Sequence, residues 1–314
     1  MHELVLSPSE ETILAVDIGS NAMRASMACL DQFNDLEILS TLRFPLRLGE
    51  DVFPNRKISK KKMQKTIEAF QDLENLKKKF DFKHIKIVAT SAIRNAENGK
   101  ILVEKIKKET GFQIEVINGR KEAELIKRAV SEVMKLNKSR TLLVDIGGGS
   151  TEITLCEGEE IIFTKSYSCG TVRLIESGQY KKQKEMIKEF IQEAKKDLSS
   201  HLKRKSIKVC VGTGGNLRRM GKLRKIFFKR SNLKVTYEEL TAILDEIKTF
   251  SIEQRMDYLD MREDRADVII PASKIIEELL FQFNLPEIQL PKVGLKEGLI
   301  ISTLKNPPRN IFFS

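Results

Sequence analysis

Short apolar runs of strand length alternate along this chain with longer segments in which apolar positions recur every three or four residues. Continuous or period-two apolar runs mark strands, and a 3.6-residue period marks helices. Strands are therefore predicted over 12–17, 24–29, 36–43, 85–89, 113–117, 141–146, 152–156, 161–168, 207–212 and 287–291. Helices are predicted over 59–79, 92–96, 99–110, 120–135, 172–177, 182–203, 215–221, 237–247, 251–256, 263–281 and 294–305. Each half opens with a strand, continues as an antiparallel meander and then passes into helix and strand alternation, a duplicated α/β layout. The polar stretch Lys135-Leu-Asn-Lys-Ser-Arg140 is the best boundary, dividing residues 1–137 from 138–297. The last segment, 298–314, which carries the end of the apolar helix Leu295–Leu304, is expected to pack back on the first half as helix.

Two of the predicted strands share one design. Ile13-Leu-Ala-Val-Asp17-Ile-Gly19-Ser20-Asn21 and Leu142-Leu-Val-Asp145-Ile-Gly147-Gly148-Gly149-Ser150-Thr151 are apolar runs that end in Asp and open into a Gly/Ser/Thr turn. Glycine accepts positive φ and leaves no Cβ in the way, so successive N–H groups can converge on an anion. Ser20, Ser150 and Thr151 add hydroxyl donors. The plain alternative is a tight hairpin turn that happens to contain Asp and Gly. Three consecutive glycines weigh against it in the second segment, because they cost backbone entropy and pack nothing. A carboxylate repels phosphate, so the natural task of Asp17 and Asp145 is to hold a divalent cation or its waters against phosphate oxygens. Two such loops imply a cleft. A third turn, Gly212-Thr213-Gly214-Gly215-Asn216, precedes a helix, and its amides are placed to meet more of an anionic ligand.

Composition narrows the classes. A chain of 314 residues with 41% hydrophobic content can build two domains with real cores. No apolar run reaches the roughly 18 residues of a membrane span, and the N-terminus lacks the profile of a secretion signal; a cytoplasmic protein with no membrane partner is expected. Four cysteines are scattered singly, without the close pairing of a zinc site. Only His2, His84 and His201 occur, far apart, so a carboxylate base is favoured over a histidine. The net charge of +11 is clumped at 57–65, 77–86, 181–188, 203–208 and 218–230, and it favours polyanionic partners. With 6% aromatics and no Trp there is no base-stacking surface, which argues against specific nucleic-acid binding. Each basic cluster also fits a solvated helix face.

Six segments, taken in order, resemble the Ppx/GppA phosphatases, which comprise exopolyphosphatases and guanosine pentaphosphate phosphohydrolases. They are Asp17-Ile-Gly-Ser-Asn21, Ala89-Thr-Ser-Ala-Ile-Arg94, Val116-Ile-Asn-Gly-Arg-Lys-Glu122-Ala, Asp145-Ile-Gly-Gly-Gly-Ser-Thr-Glu152, Gly212-Thr-Gly-Gly-Asn216 and Asp264-Arg-Ala-Asp-Val-Ile-Ile-Pro271. The resemblance runs from about residue 12 to 304. It implies the actin/sugar-kinase/Hsp70-like α/β fold, with two ribonuclease-H-like domains around an interdomain cleft.

The resemblance also implies roles. Glu122 matches the family glutamate that aligns the attacking water; read alone, it fits an exposed residue at a helix start. Many relatives carry Glu before it where this chain has Lys121, which would favour the ionised base or bind phosphate. Asp145 and Glu152 match the acidic residues assigned to Mg²⁺ or its waters, with Asp17 as the first-loop counterpart. Arg94 matches an arginine suited to bidentate binding of a terminal phosphate, with a structural salt bridge as its alternative. Gly19, Ser20, Asn21, Gly147, Gly148, Gly149, Ser150, Thr151, Gly214 and Gly215 are the implied phosphate-binding set. Ala22 stands where Ser or Thr is common, and weaker binding is expected there. The activity implied is Mg²⁺-dependent release of orthophosphate from polyphosphate or pppGpp, by a homodimer. A non-catalytic sensor of ppGpp or pppGpp on the same fold is the alternative. Longer exopolyphosphatases carry a C-terminal helical region without a counterpart here, so long-chain processivity is not expected.

Overall fold

A computed structural model describes residues 11–136, 139–203, 205–304, 306 and 308–313. His2 and the boundary residues Asn137 and Lys138 lie outside the described residues. The first half runs β1 (Glu11–Ile18), β2 (Met23–Leu30), β3 (Leu36–Phe44), α1 (Leu48–Asn55), α2 (Lys60–Lys79), β4 (His84–Ala89), α3 (Ser91–Asn95), α4 (Gly99–Thr110), β5 (Glu115–Val116) and α5 (Gly119–Val133). The second runs β6 (Arg140–Ile146), β7 (Thr151–Glu157), β8 (Glu160–Tyr167), α6 (Thr171–Glu176), α7 (Tyr180–Leu202), β9 (Ile207–Thr213) and α8 (Gly215–Phe228). It continues through β10 (Lys234–Thr236), α9 (Tyr237–Thr249), α10 (Ile252–Leu259), α11 (Glu263–Ala266), α12 (Ile269–Gln282), β11 (Glu287–Gln289), α13 (Leu295–Thr303) and β12 (Ile311–Phe313).

The strands form two mixed sheets, ordered β12-β3-β2-β1-β4-β5 and β10-β11-β9-β6-β7-β8. In each, an antiparallel meander of three strands is followed by a strand parallel to the first: β4 beside β1, and β9 beside β6. This repeated order is the ribonuclease-H-like layout, and its duplication gives the expected actin/sugar-kinase/Hsp70-like architecture. The central strands read as continuous apolar runs because both their faces are covered. On β1, Leu14, Val16 and Ile18 enter a core with Phe70 and Leu102 of α2 and α4. Ile13 and Ala15 point the other way, into a core shared with α5 and α13. That second core also holds Leu143, Cys156 and Val211 from the other sheet, so one apolar cluster joins the two halves behind the cleft.

Helix α13 does pack on the first half, but it ends at Thr303, where Leu304 turns extended, and the described residues beyond it finish as β12 beside β3 rather than as helix. Pro308, which has no N–H, follows the stop. The contact with α5 is made by Gly298, because a Cβ there would fall inside the Leu125 carbonyl. Gly298→Ala should therefore cost about 1–3 kcal/mol, the range for forcing atoms into a packed core, read as a lower midpoint in urea unfolding. An unchanged midpoint would show that α13 can slide.

Three helices differ from the sequence expectation. α1 was not predicted, because Gly49 and Pro54 within eight residues read as loop. α8 passes Gly221 and continues to Phe228; buried Leu217, Met220 and Leu223 offset the roughly 1 kcal/mol that glycine costs a helix interior. The single helix expected over 263–281 is two, because Pro271 is tolerated only in a first turn, so the helix restarts at Ile269. No helix among the described residues is long and apolar enough to cross a membrane. Cys29, Cys156, Cys169 and Cys210 are all buried, and none of them forms a disulfide.

Candidate active site

The two glycine loops close in the same way. The Gly19 N–H donates to the Ala22 carbonyl at 3.1 Å, and the Gly147 N–H to the Ser150 carbonyl at 3.0 Å. These two amides are thus occupied within their own turns. A short helix then holds the carbonyls of each loop. The Gly49 and Arg47 N–H groups donate to Ser20 and Asn21 at 2.8 and 2.9 Å; those of Thr171 and Val172 donate to Gly147 and Gly148 at 3.0 and 2.8 Å. In a trans peptide the N–H points opposite to the carbonyl, so the amides of Asn21, Ala22, Gly148 and Gly149 turn away from these helices. All four residues line a cleft of about 720 Å³ between the halves.

None of the glycines in these two loops adopts positive φ. What they supply is room. A Cβ on Gly149 would lie 2.5 Å from Ser91 Oγ and 2.8 Å from Ser20 Oγ, and one on Gly148 would lie 3.1 Å from Ser20 Cβ. The loops therefore face each other closely across the cleft. Gly214 does require its freedom, at φ +92°. Gly215 is a packing glycine, because the Arg265 guanidinium lies 2.5 Å from where its Cβ would be.

The acidic centre follows from strand register. Asp145 on β6 pairs with Thr213 on β9 and with Glu152 on β7, which pairs in turn with Ser166 on β8. Directly paired residues point to one face, so these four form a row. Thr213 Oγ1 donates to Asp145 Oδ1 at 2.5 Å, while Ser150 and Ser166 hydroxyls donate to Glu152 Oε1 at 2.7 and 2.6 Å. Glu122 arrives from the other half, in the first turn of α5. The Asn118 side chain caps that helix by accepting from the Lys121 N–H at 2.9 Å. Gly119 lets the helix start seat on Ser166, since a Cβ there would be 2.5 Å from the Ser166 Cβ. Each of Glu122, Asp145 and Glu152 thereby offers a carboxylate oxygen within 4.8 Å of the others.

Burial, Glu152 and Asp145 hold Glu122 well above the usual carboxylate range, with Arg94 opposing. Burial and Asp145 push Glu152 up to about 7 against the two serine hydrogen bonds. Asp145 is raised as well, chiefly by burial. Glu122 Oε2 and Glu152 Oε2 are buried without any hydrogen-bond partner. Three crowded carboxylates, two of them with an unpartnered oxygen, are a donor set for a hard divalent cation.

Several sequence-predicted residues stand elsewhere. Asp17 lines the cleft, but its carboxylate accepts from Arg24 Nη1 at 3.1 Å, and it is not one of the three clustered acids. Arg94 donates through Nη1 to the Ile117 carbonyl at 2.7 Å and lies 3.7 Å from Glu122 Oε2, behind the base rather than on the cleft wall. Thr151 is fully buried, and its hydroxyl donates to the Cys169 carbonyl. Lys121 is exposed and does not line the cleft. His84 sits at the surface 3.5 Å from Glu11, and His201 packs against Phe163 with the rings tilted by 52°. Ser20, Asn21, Gly147–Ser150, Gly214 and Gly215 do line the cleft. Of the basic run after the third turn, Arg218, Arg219 and Lys222 line it, whereas Arg224 is buried in a two-pronged pair with Glu239 at 2.6 and 3.1 Å. Sequence reading missed Arg24, Arg43, Arg262 and Lys296, all on the wall. The alternation that places Arg24 and Arg43 on the face of Asp17 was the available signal.

Comparison with known proteins agrees with this geometry. The model of the Ppx/GppA phosphatase family matches residues 28–307. A putative exopolyphosphatase of Haemophilus influenzae is 22% identical, covering 98% of this chain and 97% of that protein. A guanosine-5'-triphosphate,3'-diphosphate pyrophosphatase of Aliivibrio fischeri is 26% identical over 91% of this chain, which spans 58% of that longer protein. The crystal structure of an exopolyphosphatase from Cytophaga hutchinsonii shares the fold with a TM-score of 0.85 at 22% identity, covering 93% of this chain and 97% of that one.

Proposed function

Given that this chain belongs to the Ppx/GppA phosphatase family, we propose that it is a Mg²⁺-dependent phosphohydrolase that releases orthophosphate from the terminal phosphoanhydride of polyphosphate or pppGpp. The observation that carries the reading is the convergence of Glu122, Asp145 and buried Glu152 from both halves, the first two lining a cleft whose walls carry two amide-bearing loops. Asp145 and Glu152, with Glu122 beside them, would hold the cation, which when bound supplies charge neutralisation for the phosphoryl oxygens and keeps the acids ionised. The free amides of Asn21, Ala22, Gly148 and Gly149, with the Ser20 and Ser150 hydroxyls, grip those oxygens. Glu122 orients a water for in-line attack and takes its proton. Arg94 and the Ile117 carbonyl fix the position of that glutamate. Most of the rate comes from placement and charge.

In this reading residues 1–137 and 138–297 are the two domains that close on the substrate, in a cytoplasmic homodimer. The non-catalytic sensor gains no support, since Glu122 keeps its place among the acids and Lys121 stays outside the cleft. The test is orthophosphate release by the purified protein with Mg²⁺, comparing long polyphosphate, short polyphosphate, pppGpp and ATP. Release from polyphosphate or pppGpp that stops on adding EDTA is expected. No release from any of the four, with tight ppGpp binding, would replace the enzyme with the sensor.

A further inference from the structure

The two short helices that hold the glycine loops also meet each other across the halves. α1, whose N-cap Arg47 and Gly49 N–H groups hold the Asn21 and Ser20 carbonyls, lies against α6, which holds those of Gly147 and Gly148. A Cβ on Gly49 would lie 3.1 Å from Val172 Cγ1, and one on Gly148 would lie 3.1 Å from Val172 Cγ2. Val172 of α6 is thus wedged between α1 and the second loop. The next residue, Arg173, also makes one contact on each side.

Arg173 Nε donates to the Gly149 carbonyl at 3.0 Å, and its guanidinium carbon lies 4.1 Å from the centre of the Phe53 ring in α1. The ring reaches the loop directly too, since a Cβ on Gly149 would overlap Phe53 Cζ. Arg173 is half-buried, and burial lowers its pKa with only the Cys169 thiol opposing. No described carboxylate pairs with it, and it does not line the cleft. A half-buried cation without an acid is costly unless its other contacts are strong, so the Phe53 face and the Gly149 carbonyl are what hold it. A cation on a carbonyl also polarises the peptide, which makes the N–H at its other end a better donor. That N–H belongs to Ser150, which lines the cleft, and in a trans peptide it points away from Arg173.

We infer that Arg173 is a positioning residue: it fixes the peptide between Gly149 and Ser150 in the second loop, and it is itself oriented by Phe53 from the other half. The second loop then takes its anion-binding geometry only when α1 and α6 are in contact, so closing the cleft and setting the loop are one event. Arg173 stands outside the cleft and acts through the Ser150 amide. That the anion is a phosphoryl group in transfer rests on the hydrolase reading; the geometry of the loop does not.

Three variants test this in the full chain. Arg173→Met keeps the stem and removes the donor and the charge, Arg173→Gln places an amide nitrogen where Nε stands, and Phe53→Leu removes the ring. Removing a whole donor from developing charge costs roughly 10²-fold or more in kcat, so loosening one should cost about tenfold. In steady-state orthophosphate release with Mg²⁺, Arg173→Met should therefore lower kcat by about tenfold and change KM by less than about threefold, the mark of an interaction made mainly in the transition state. Arg173→Gln should recover most of that loss. Phe53→Leu should lower kcat about fivefold, and adding it to Arg173→Met should cost less than about twofold more, since the two side chains act as one unit. A merely structural role would lower the melting temperature and leave kcat of the folded protein unchanged. A kcat for Arg173→Met within about twofold of wild type overturns the inference, and so do losses that multiply in the double variant. Should Arg173→Met fail to fold, Phe53→Leu decides alone, because an unchanged kcat there removes the link between the halves. Wild-type protein that releases no phosphate overturns the hydrolase reading alone, and calorimetric titration with pyrophosphate and Mg²⁺ then judges the loop. Binding about tenfold weaker in Arg173→Met and recovered in Arg173→Gln upholds the positioning role; equal affinity in all three proteins ends it.

Discussion

Glu122→Gln is expected to lower orthophosphate release at saturating substrate by roughly 10³-fold, within the 10²–10⁴ range that a positioned general base contributes and equivalent to about 4 kcal/mol of barrier. The substitution keeps shape and volume but removes the lone pair basicity that takes the proton from water. Arg94 and the Ile117 carbonyl stay in place behind it. The variant should also be no less stable than wild type without metal, since burial, Glu152 and Asp145 all disfavour a charge at this position. Because Glu122 also stands within reach of the other two acids, a lost ligand could mimic a lost base, and a Mg²⁺ titration separates them. Activity that recovers with tenfold more cation marks a ligand; activity that stays low marks the base. Release within tenfold of wild type would remove Glu122 from the chemistry altogether.

Most of the framework was legible in the sequence, for a physical reason. β1 and β6 are central strands covered on both faces, so their apolar runs and terminal aspartates stand out, and the repeated turn after each predicted the duplication. What the sequence did not show depends on partners distant in the chain. α1 reads as loop on local propensity, yet its start is held in place, because the N–H groups of its N-cap Arg47 and of Gly49 donate to the carbonyls of Asn21 and Ser20. Glycine at 215 looks like a phosphate ligand until Arg265 is seen lying against it. Asp17 and Asp145 are equivalent in the repeat, but their register partners are Arg24 and Glu152, so one becomes half of an ion pair and the other joins an acidic cluster. Motif reading treated the two aspartates alike because a strand-end motif does not include the neighbouring strand.

That asymmetry gives the second large effect, an opposed response of stability to pH and Mg²⁺. Glu152 titrates near 7 in the folded protein, against 4.5 ordinarily, and Glu122 is shifted in the same direction. Without metal, the folded chain then binds more protons than the unfolded one between these values. Its stability is greatest below about pH 4.5 as far as these groups are concerned, and it is lost as pH rises through 7, on the order of 3 kcal/mol for a shift of this size. Carboxylates with the opposite shift, such as Glu50, Asp51 and Glu239, act below the ordinary carboxylate range, so they do not mask the slope above pH 5. In EDTA the melting temperature should fall by several degrees between pH 5.5 and 8. Mg²⁺ binds the ionised cluster, so at pH 8 it should restore stability, by about 2.7 kcal/mol at a hundredfold excess over its Kd, and at pH 5.5 it should do much less. Glu152→Gln should flatten both responses, because it removes the group that titrates and one of the three that would hold the cation. Differential scanning fluorimetry at the two pH values, with EDTA or Mg²⁺, reads all of this at once. A metal-free melting temperature that climbs toward pH 8, or a Mg²⁺ response equal at both pH values, would mean that the cluster is not where protons and cation compete.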